Sequence, residues 1–305
     1  MTKILVSEVG PRDGLQSIDR VMPLEAKKRW IAAEAAAGVR EIEVGSFVPP
    51  GLLPQMADTS ELVAFAKGIA GLNVVALVPN AKGAMRAVEA GVDAMSIPFS
   101  MSETHSIKNV RKDHAAMLAE IAEAARIAHE GGKHFAVGLS TAFGCTLEGA
   151  VPEDRVVRLA EAAAAAGADE FSLSDTTGYA DPAQVRRLVM AVRGAVGDKL
   201  TTLHLHNTRG LGLANALAGL DEGITTLDAS LGGLGGCPYA PGASGNIVTE
   251  DLVLMLNAMG YSTGIDLEKL LAVRTILADA LPGEPLYGFT PEAGPMLDYA
   301  DRIAQ

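Results

Sequence analysis

The chain has 305 residues, of which 49% are hydrophobic and only 4% aromatic, so aliphatic side chains and alanine must fill its core. Its formal net charge of −12 argues against nucleic acid and anionic membranes as partners. The two cysteines are too few for a disulfide framework, and there is no targeting segment and no apolar run of about 18 residues, which indicates a reducing cytoplasm and no membrane.

Short apolar runs alternate with longer amphipathic or alanine-rich runs along the whole chain, a pattern that predicts strands alternating with helices. The predicted strands cover residues 4–9, 41–46, 74–78, 94–99, 135–139, 171–174, 202–206 and 226–230. The predicted helices cover residues 23–37, 60–70, 82–90, 112–130, 153–166, 182–196, 211–222 and 249–259. One or two further helices are expected in the tail after Gly260.

Four of the predicted helices end at a glycine that leads directly into the next strand, which forms a weak internal repeat. Eight strand–helix units without a linker predict an α/β protein with a (β/α)8 TIM barrel. We expect a single domain over residues 1–305, with the barrel at about 1–260 and a short C-terminal helical extension at about 261–305. An open doubly wound sheet is the rival, but the first turn, Gly10-Pro11-Arg12-Asp13-Gly14, is not a dinucleotide fingerprint.

The active site of a TIM barrel is built at the C-terminal ends of its strands. Polar residues are predicted at those ends in this chain: Arg12, Asp13, Glu43, Asn80, Ser100, Thr141, Asp175, His204 and His206. Packing alone does not explain so many ionisable groups at one end of a barrel. The pattern therefore predicts a catalytic mouth.

His204-Leu205-His206 is the sharpest local signal. Alternate residues of a strand face the same way, so the two imidazoles lie about 7 Å apart along one face. They could be two ligands of one metal or two partly buried histidines that hydrogen-bond to neighbours. Asp13, at the end of a nearby strand, favours the metal. A mixed nitrogen and oxygen donor set suits Mg²⁺ or Mn²⁺ better than a closed thiolate zinc site.

The remaining polar residues have both a structural and a catalytic interpretation. Arg12 could close its turn through an ion pair or hold a developing enolate oxygen. Glu43 and Asp175 could be structural partners of Arg12 or a histidine, or could relay protons or orient a ligand. Cys237 lies in a glycine-rich stretch that predicts a mobile loop, where a thiol could donate a proton, whereas Cys145 better fits a small buried hydrophobe.

Two motifs carry a family resemblance. VGPRDGLQ at residues 9–16 and GLGGCPYAPGASGNIVTEDLV at residues 233–253 resemble the 3-hydroxy-3-methylglutaryl-CoA lyase family, which belongs to the DRE-TIM metallolyases. The resemblance covers nearly the whole chain. The second motif is highly specific, while the first is shared with related synthases and aldolases.

The resemblance implies metal-dependent retro-Claisen cleavage of a 3-hydroxyacyl-CoA, with 3-hydroxy-3-methylglutaryl-CoA giving acetyl-CoA and acetoacetate. It implies a cation, Mg²⁺ or Mn²⁺, bound by Asp13, His204, His206 and Asn246. It places among the catalytic residues Arg12, Cys237, Glu43, Asp175 and His204, with Arg12 stabilising the enolate and Cys237 helping to protonate it. Glu250 matches a further acidic residue that the family uses. Dimers are common among such barrels, although the sequence shows no interface signature.

The rim of the predicted site departs from the family pattern. Differences fall at residues 17–19, 49–52, 146–147 and 207–209. None removes a proposed ligand or catalytic group, so they bear on the acyl group more than on the chemistry. The alternatives are a lyase for citramalyl-CoA or a longer branched 3-hydroxyacyl-CoA, a Claisen-type synthase or aldolase, and a non-catalytic barrel that binds CoA or metal. Synthases of this kind usually carry further C-terminal domains.

Overall fold

Eight parallel strands close into a barrel in which each strand pairs with its neighbours in chain order and β1 closes on β8. The computed structural model describes residues 2–235, 245–296 and 299. The strands are β1 (Leu5–Glu8), β2 (Glu41–Ser46), β3 (Asn73–Leu77), β4 (Ala94–Ser100), β5 (His134–Ser140), β6 (Glu170–Asp175), β7 (Leu200–Leu205) and β8 (Thr226–Ala229). The predicted TIM barrel is therefore confirmed.

Helices follow the strands along the chain. They are α1 (Leu24–Ala37), α2 (Thr59–Ala66), α3 (Ala81–Ala90), α4 (Glu103–Val110), α5 (His114–Glu130), α6 (Glu153–Ala165), α7 (Pro182–Val196), α8 (Gly212–Asp221), α9 (Thr249–Ala258), α10 (Leu267–Ala280) and α11 (Thr290–Ala293). Local signals set their ends. Asp181 accepts hydrogen bonds from the backbone of Ala183 and Gln184 at the start of α7, and Gly38 ends α1 in the left-handed conformation.

Three elements differ from the sequence prediction. The predicted helix 112–130 is preceded by the separate helix α4, which starts at a Ser102 cap and ends at Arg111 in the left-handed region. The predicted helix 60–70 ends four residues early, at Ala66. The first strand ends at Glu8 because the next residues wind into a single π-helical turn, Gly10–Gly14. In the tail, α10 packs against α1 as part of the outer layer.

Small and polar side chains line the interior of the barrel on the side formed by β4 to β6. Along β5, buried residues alternate with partly exposed ones. The partly exposed set comprises Ala136, Gly138 and Ser140. Ser96 on β4 donates a hydrogen bond to Glu43 on β2, so these positions face the barrel axis. Bulky branched side chains usually fill this space in TIM barrels, and their absence from these positions leaves room near the mouth.

In the part of the chain that the structure describes, no helix has the length and apolar character needed to cross a membrane.

A buried ion pair at Lys27 attaches the segment between β2 and α2 to α1. The ammonium group of Lys27 is fully buried on α1 and donates to Asp58 Oδ1 at 2.7 Å and to the Gln55 carbonyl oxygen at 2.6 Å. Removing one member of a buried ion pair leaves the other uncompensated, so Lys27→Ala should lower the free energy of unfolding by about 3 kcal/mol. Urea denaturation measures this change.

The adjacent Lys28 is the matched control for this prediction. It pairs with Glu25 at the surface, and Lys28→Ala should change the free energy of unfolding by less than about 1 kcal/mol. Equal losses in the two variants would contradict the role given to the buried pair.

Candidate metal centre

The turn after β1 presents Arg12 and Asp13 side by side at the mouth of the barrel. Backbone pairing with β8 continues to Val9, whose amide donates to the Ala229 carbonyl oxygen. The chain then winds through Gly10–Gly14, and the Asp13 amide donates back to the Val9 carbonyl oxygen at 2.6 Å. The turn therefore fixes Asp13 directly beyond the end of its strand.

The two histidines of the His-x-His motif converge with Asp13. His204 lies on β7 and His206 one residue past its end, with their Nε2 atoms 3.2 Å apart. Asp13 Oδ2 lies 3.8 Å from His204 Nε2 and 3.7 Å from His206 Nε2. Adjacent ligands of an octahedral cation with bonds of about 2.1 Å lie about 3 Å apart, so the three atoms need only a small inward adjustment.

Asn246 completes this group through an unusual backbone arrangement. Residues 245–249 lie between the ends of β7 and β8. The Asn207 amide donates to the Gly245 carbonyl oxygen, and the Ile247 amide donates to the Leu205 carbonyl oxygen, so Asn246 sits opposite His206. Its Nδ2 donates to Asp13 Oδ2 at 2.7 Å.

The other amide atom of Asn246 tests whether these residues fit a metal. Its Oδ1 is buried and has no hydrogen-bond partner among the residues that the structure describes. A buried oxygen without a partner costs free energy unless a ligand satisfies it. Placed beside two imidazoles and a carboxylate, this oxygen fits a fourth ligand of a hard divalent cation.

Arg12 joins the metal group to Glu43. Its guanidinium donates to Asp13 Oδ1 through Nη1 and to Glu43 Oε2 through Nε at 2.5 Å. Burial opposes ionisation of Asp13, but the charges of Arg12 and the two histidines more than offset it and hold the pKa of Asp13 well below its usual range. Glu43 lies in the middle of β2 rather than at its end, which corrects its predicted position.

Asp228 is a residue of this site that the sequence analysis missed. On β8, its Oδ2 lies 2.9 Å from His204 Nδ1. A carboxylate that accepts the Nδ1 proton leaves the Nε2 lone pair of His204 directed at Asp13 and His206. The alternation of the predicted strand 226–230 places Asp228 on one face of that strand. Its contact with His204 depends on the register of β7 and β8, which sets these two residues opposite each other.

Two predicted acidic residues bind backbone groups rather than the metal group. Asp175 accepts hydrogen bonds from the amides of Tyr179 and Ala180 in the loop after β6, and burial raises its pKa. Glu250 accepts from the Gly232 amide and from Arg274 at the base of the loop after β8. Both carboxylates therefore shape loops around the mouth.

The other predicted mouth residues also have structural partners. Asn80 caps α3 by accepting from the Gly83 amide, so it belongs to the helix start rather than to the site. The hydroxyls of Ser100 and Thr141 hydrogen-bond to each other across β4 and β5. Cys237 lies outside the described residues.

Comparison with known proteins gives a consistent result. The family model described as HMGL-like matches residues 3–277. The hydroxymethylglutaryl-CoA lyase of Bacillus subtilis is 42% identical over 287 residues, covering 93% of this chain and 95% of the relative. The (R)-citramalyl-CoA lyase of Chloroflexus aurantiacus is 40% identical over 306 residues, covering 97% and 96%.

Solved structures agree closely with this chain. The HMG-CoA lyase of Bacillus subtilis superposes with a TM-score of 0.92 at 39% identity, covering 96% of this chain and 98% of the other. An HMG-CoA lyase from Acinetobacter baumannii in complex with coenzyme A and 3-methylmalate gives a TM-score of 0.89 at 41% identity, covering 97% and 96%.

The hydrogen bond between Asp228 and His204 predicts a measurable effect on metal affinity. Asp228→Ala removes the acceptor that holds the His204 tautomer and ring orientation, so the Kd for Mn²⁺ should rise about 10- to 100-fold. Isothermal titration calorimetry of the metal-free protein measures this change.

A second histidine–aspartate pair provides the control. Asp169 Oδ2 lies 3.0 Å from His129 Nε2 at the opposite end of the barrel, before β6 begins. Asp169→Ala should leave the Mn²⁺ affinity unchanged. An unchanged Kd in Asp228→Ala would show that the carboxylate does not support the ligand.

Proposed function

Because the chain belongs to the HMGL-like family, we propose that it cleaves 3-hydroxy-3-methylglutaryl-CoA to acetyl-CoA and acetoacetate with a divalent cation. The chain is a carbon–carbon lyase. The observation that carries the proposal is the convergence of Asp13, His204 and His206 beside Arg12. The amide oxygen of Asn246, which has no partner within the described part of the chain, lies with them.

The proposed ligands of the cation are Asp13, His204, His206 and Asn246. A bound divalent cation supplies Lewis-acid polarisation of the substrate's oxygens. The mixed nitrogen and oxygen set favours Mg²⁺ or Mn²⁺, because both accept such donors while leaving positions open for substrate. Asp228 would keep His204 in the tautomer that binds metal.

In the proposed reaction a base removes the proton of the C3 hydroxyl, the C2–C3 bond breaks, and its electron pair forms the enolate of acetyl-CoA while C3 becomes a ketone. We assign the proton acceptor to Asp175, whose pKa is raised by burial and whose carboxylate interacts electrostatically with His206. Two backbone amides hold this carboxylate in place.

Arg12 would stabilise the enolate oxygen. Its guanidinium is buried, permanently charged and held by Asp13 and Glu43, so it is already oriented before the substrate binds. Glu43 acts through Arg12 and is itself held by the Ser96 hydroxyl at 2.9 Å. Cys237 would return a proton to C2 of the enolate, which completes acetyl-CoA.

A second candidate substrate is citramalyl-CoA, which would give acetyl-CoA and pyruvate by the same bond cleavage. The citramalyl-CoA lyase of Chloroflexus aurantiacus is nearly as similar to this chain as the hydroxymethylglutaryl-CoA lyase of Bacillus subtilis. The altered rim leaves the choice between the two acyl groups open. Arg209 stacks over the Tyr179 ring at 4.6 Å and donates to the carbonyl oxygens of Thr177 and Gly178, close to Asp175.

The same proposal places the enzyme in the cytoplasm with an acyl-CoA as its partner. A thiol required for protonation has to stay reduced, which fits a reducing compartment. We propose a homodimer as the assembly, because dimers are common among similar barrels.

A screen of CoA thioesters tests the substrate assignment. With Mg²⁺ or Mn²⁺ and reductant, 3-hydroxy-3-methylglutaryl-CoA should release acetyl-CoA with a kcat/KM at least about tenfold above that of citramalyl-CoA. The two acyl groups differ by one methylene, and a missing methylene in a pocket costs about 1–3 kcal/mol. A chelator should abolish the release. Faster turnover of citramalyl-CoA would support the second candidate, and no release from any thioester would reject both.

The two cysteines predict opposite phenotypes. Cys237→Ser replaces the proposed proton donor and should lower kcat about 100-fold with little change in KM. Cys145 is buried, and its sulfur accepts from the Leu147 amide at 3.3 Å, so Cys145→Ser should lower the thermal midpoint while kcat is retained. Steady-state kinetics with thermal unfolding distinguishes the two. Full activity of Cys237→Ser would remove it from the mechanism.

A further inference from the structure

Glu8, the last residue of β1, is completely buried beneath the mouth of the barrel. Its Oε1 accepts hydrogen bonds from the amides of Gly10 at 2.8 Å and Leu231 at 3.0 Å. Its Oε2 accepts from the Thr249 hydroxyl at 2.7 Å. One carboxylate thus links the turn directly after it to two segments that lie 223 and 241 positions further along the chain.

Two of these segments carry proposed metal ligands. Gly10 begins the turn that bears Asp13, and Thr249 follows Asn246 by three residues. The third, at Leu231, begins the short helical turn that follows β8. The carboxylate of Glu8 therefore lies where the supports of Asp13 and Asn246 meet.

The fit around Glu8 leaves little freedom for the turn. A Cβ atom at Gly10 would lie 2.5 Å from Glu8 Oε1 and 2.9 Å from the Trp30 ring. The backbone of the turn is consequently pressed against the carboxylate, and only glycine fits. Displacing the carboxylate would move the start of the turn that holds Asp13.

Among the described residues, the donors to Glu8 are two amides and a hydroxyl, none of which is charged. Burial raises its pKa to about 7. A second buried acid, Glu34 on α1, lies close enough for the charge of Glu8 to raise its pKa further, but it binds none of the three segments. Glu8 and Glu34 are neighbouring buried acids, but only Glu8 links the segments that bear the proposed ligands.

We propose that Glu8 is a positioning residue of the metal centre, whose carboxylate fixes the Asp13 turn against the Asn246 segment so that both reach one cation. The proposal rests on the metal ligands assigned above. It concerns hydrogen-bond geometry rather than charge. Glutamine can supply the same geometry, with its oxygen accepting from the two amides and its amide group donating to Thr249.

Binding of Mn²⁺ to the metal-free protein tests this role without reference to turnover. Electron paramagnetic resonance of the free ion gives the Kd. Glu8→Ala should weaken binding about tenfold, the lower end of the effect of outer-shell partners, and Glu8→Gln should stay within about threefold of wild type. Glu34→Gln is the matched control at a neighbouring buried acid and should also stay within about threefold.

Two milder variants at Thr249 provide the test if Glu8→Ala does not fold. Thr249→Val removes the hydroxyl that donates to Glu8 and should weaken Mn²⁺ binding, whereas Thr249→Ser retains the hydroxyl and the affinity. Unchanged binding in Thr249→Val, or equal losses in Glu8→Gln and Glu8→Ala, would overturn the positioning role. Failure of the wild type to bind Mn²⁺ would overturn the metal ligands and this role together.

Discussion

The pairing of β1 with β8 closes the barrel, and the proposed site depends on this closure. Leu5 pairs with Thr226 and Glu8 with Ala229, so the first and last strands run together along the whole of β1. The closure brings Asp13 and Asn246, which are 233 positions apart, within 2.7 Å. Because the paired strands are parallel, the loops that follow them meet at one end, where ligands from both ends of the chain can converge.

The electrostatics of the site favour a divalent cation. Asp13, Glu43 and Asp228 are carboxylates, while Arg12 is the guanidinium in their midst. Three carboxylates around one guanidinium leave two negative charges when the histidines are neutral. Buried charges are retained in proteins when they are paired or bind metal, so a divalent cation would complete this balance. The carboxylate of Asp228 behind His204 fixes the tautomer whose Nε2 lone pair faces this position.

Features that arise from local periodicity can be predicted from the sequence. Contacts that depend on the register between neighbouring strands cannot. Alternation along the chain predicted the strands and the shared face of His204 and His206. Asp228 was missed because its contact depends on which residue of β8 lies opposite His204. Asn246 could be assigned only by family resemblance, because residues 245–249 insert between the ends of two strands without any periodic pattern. Asp175 was placed correctly at a strand end, but its partners are amides of its own loop.

The proposed ligands and the rim are held by different kinds of contact. Backbone pairing fixes the proposed ligands: His204 lies within β7, and Asn246 is bridged to His206. The altered rim lies on loops, where Leu52 is 78% exposed and Arg209 is held by stacking on Tyr179. A substitution on such a loop can change which acyl group fits without moving a strand.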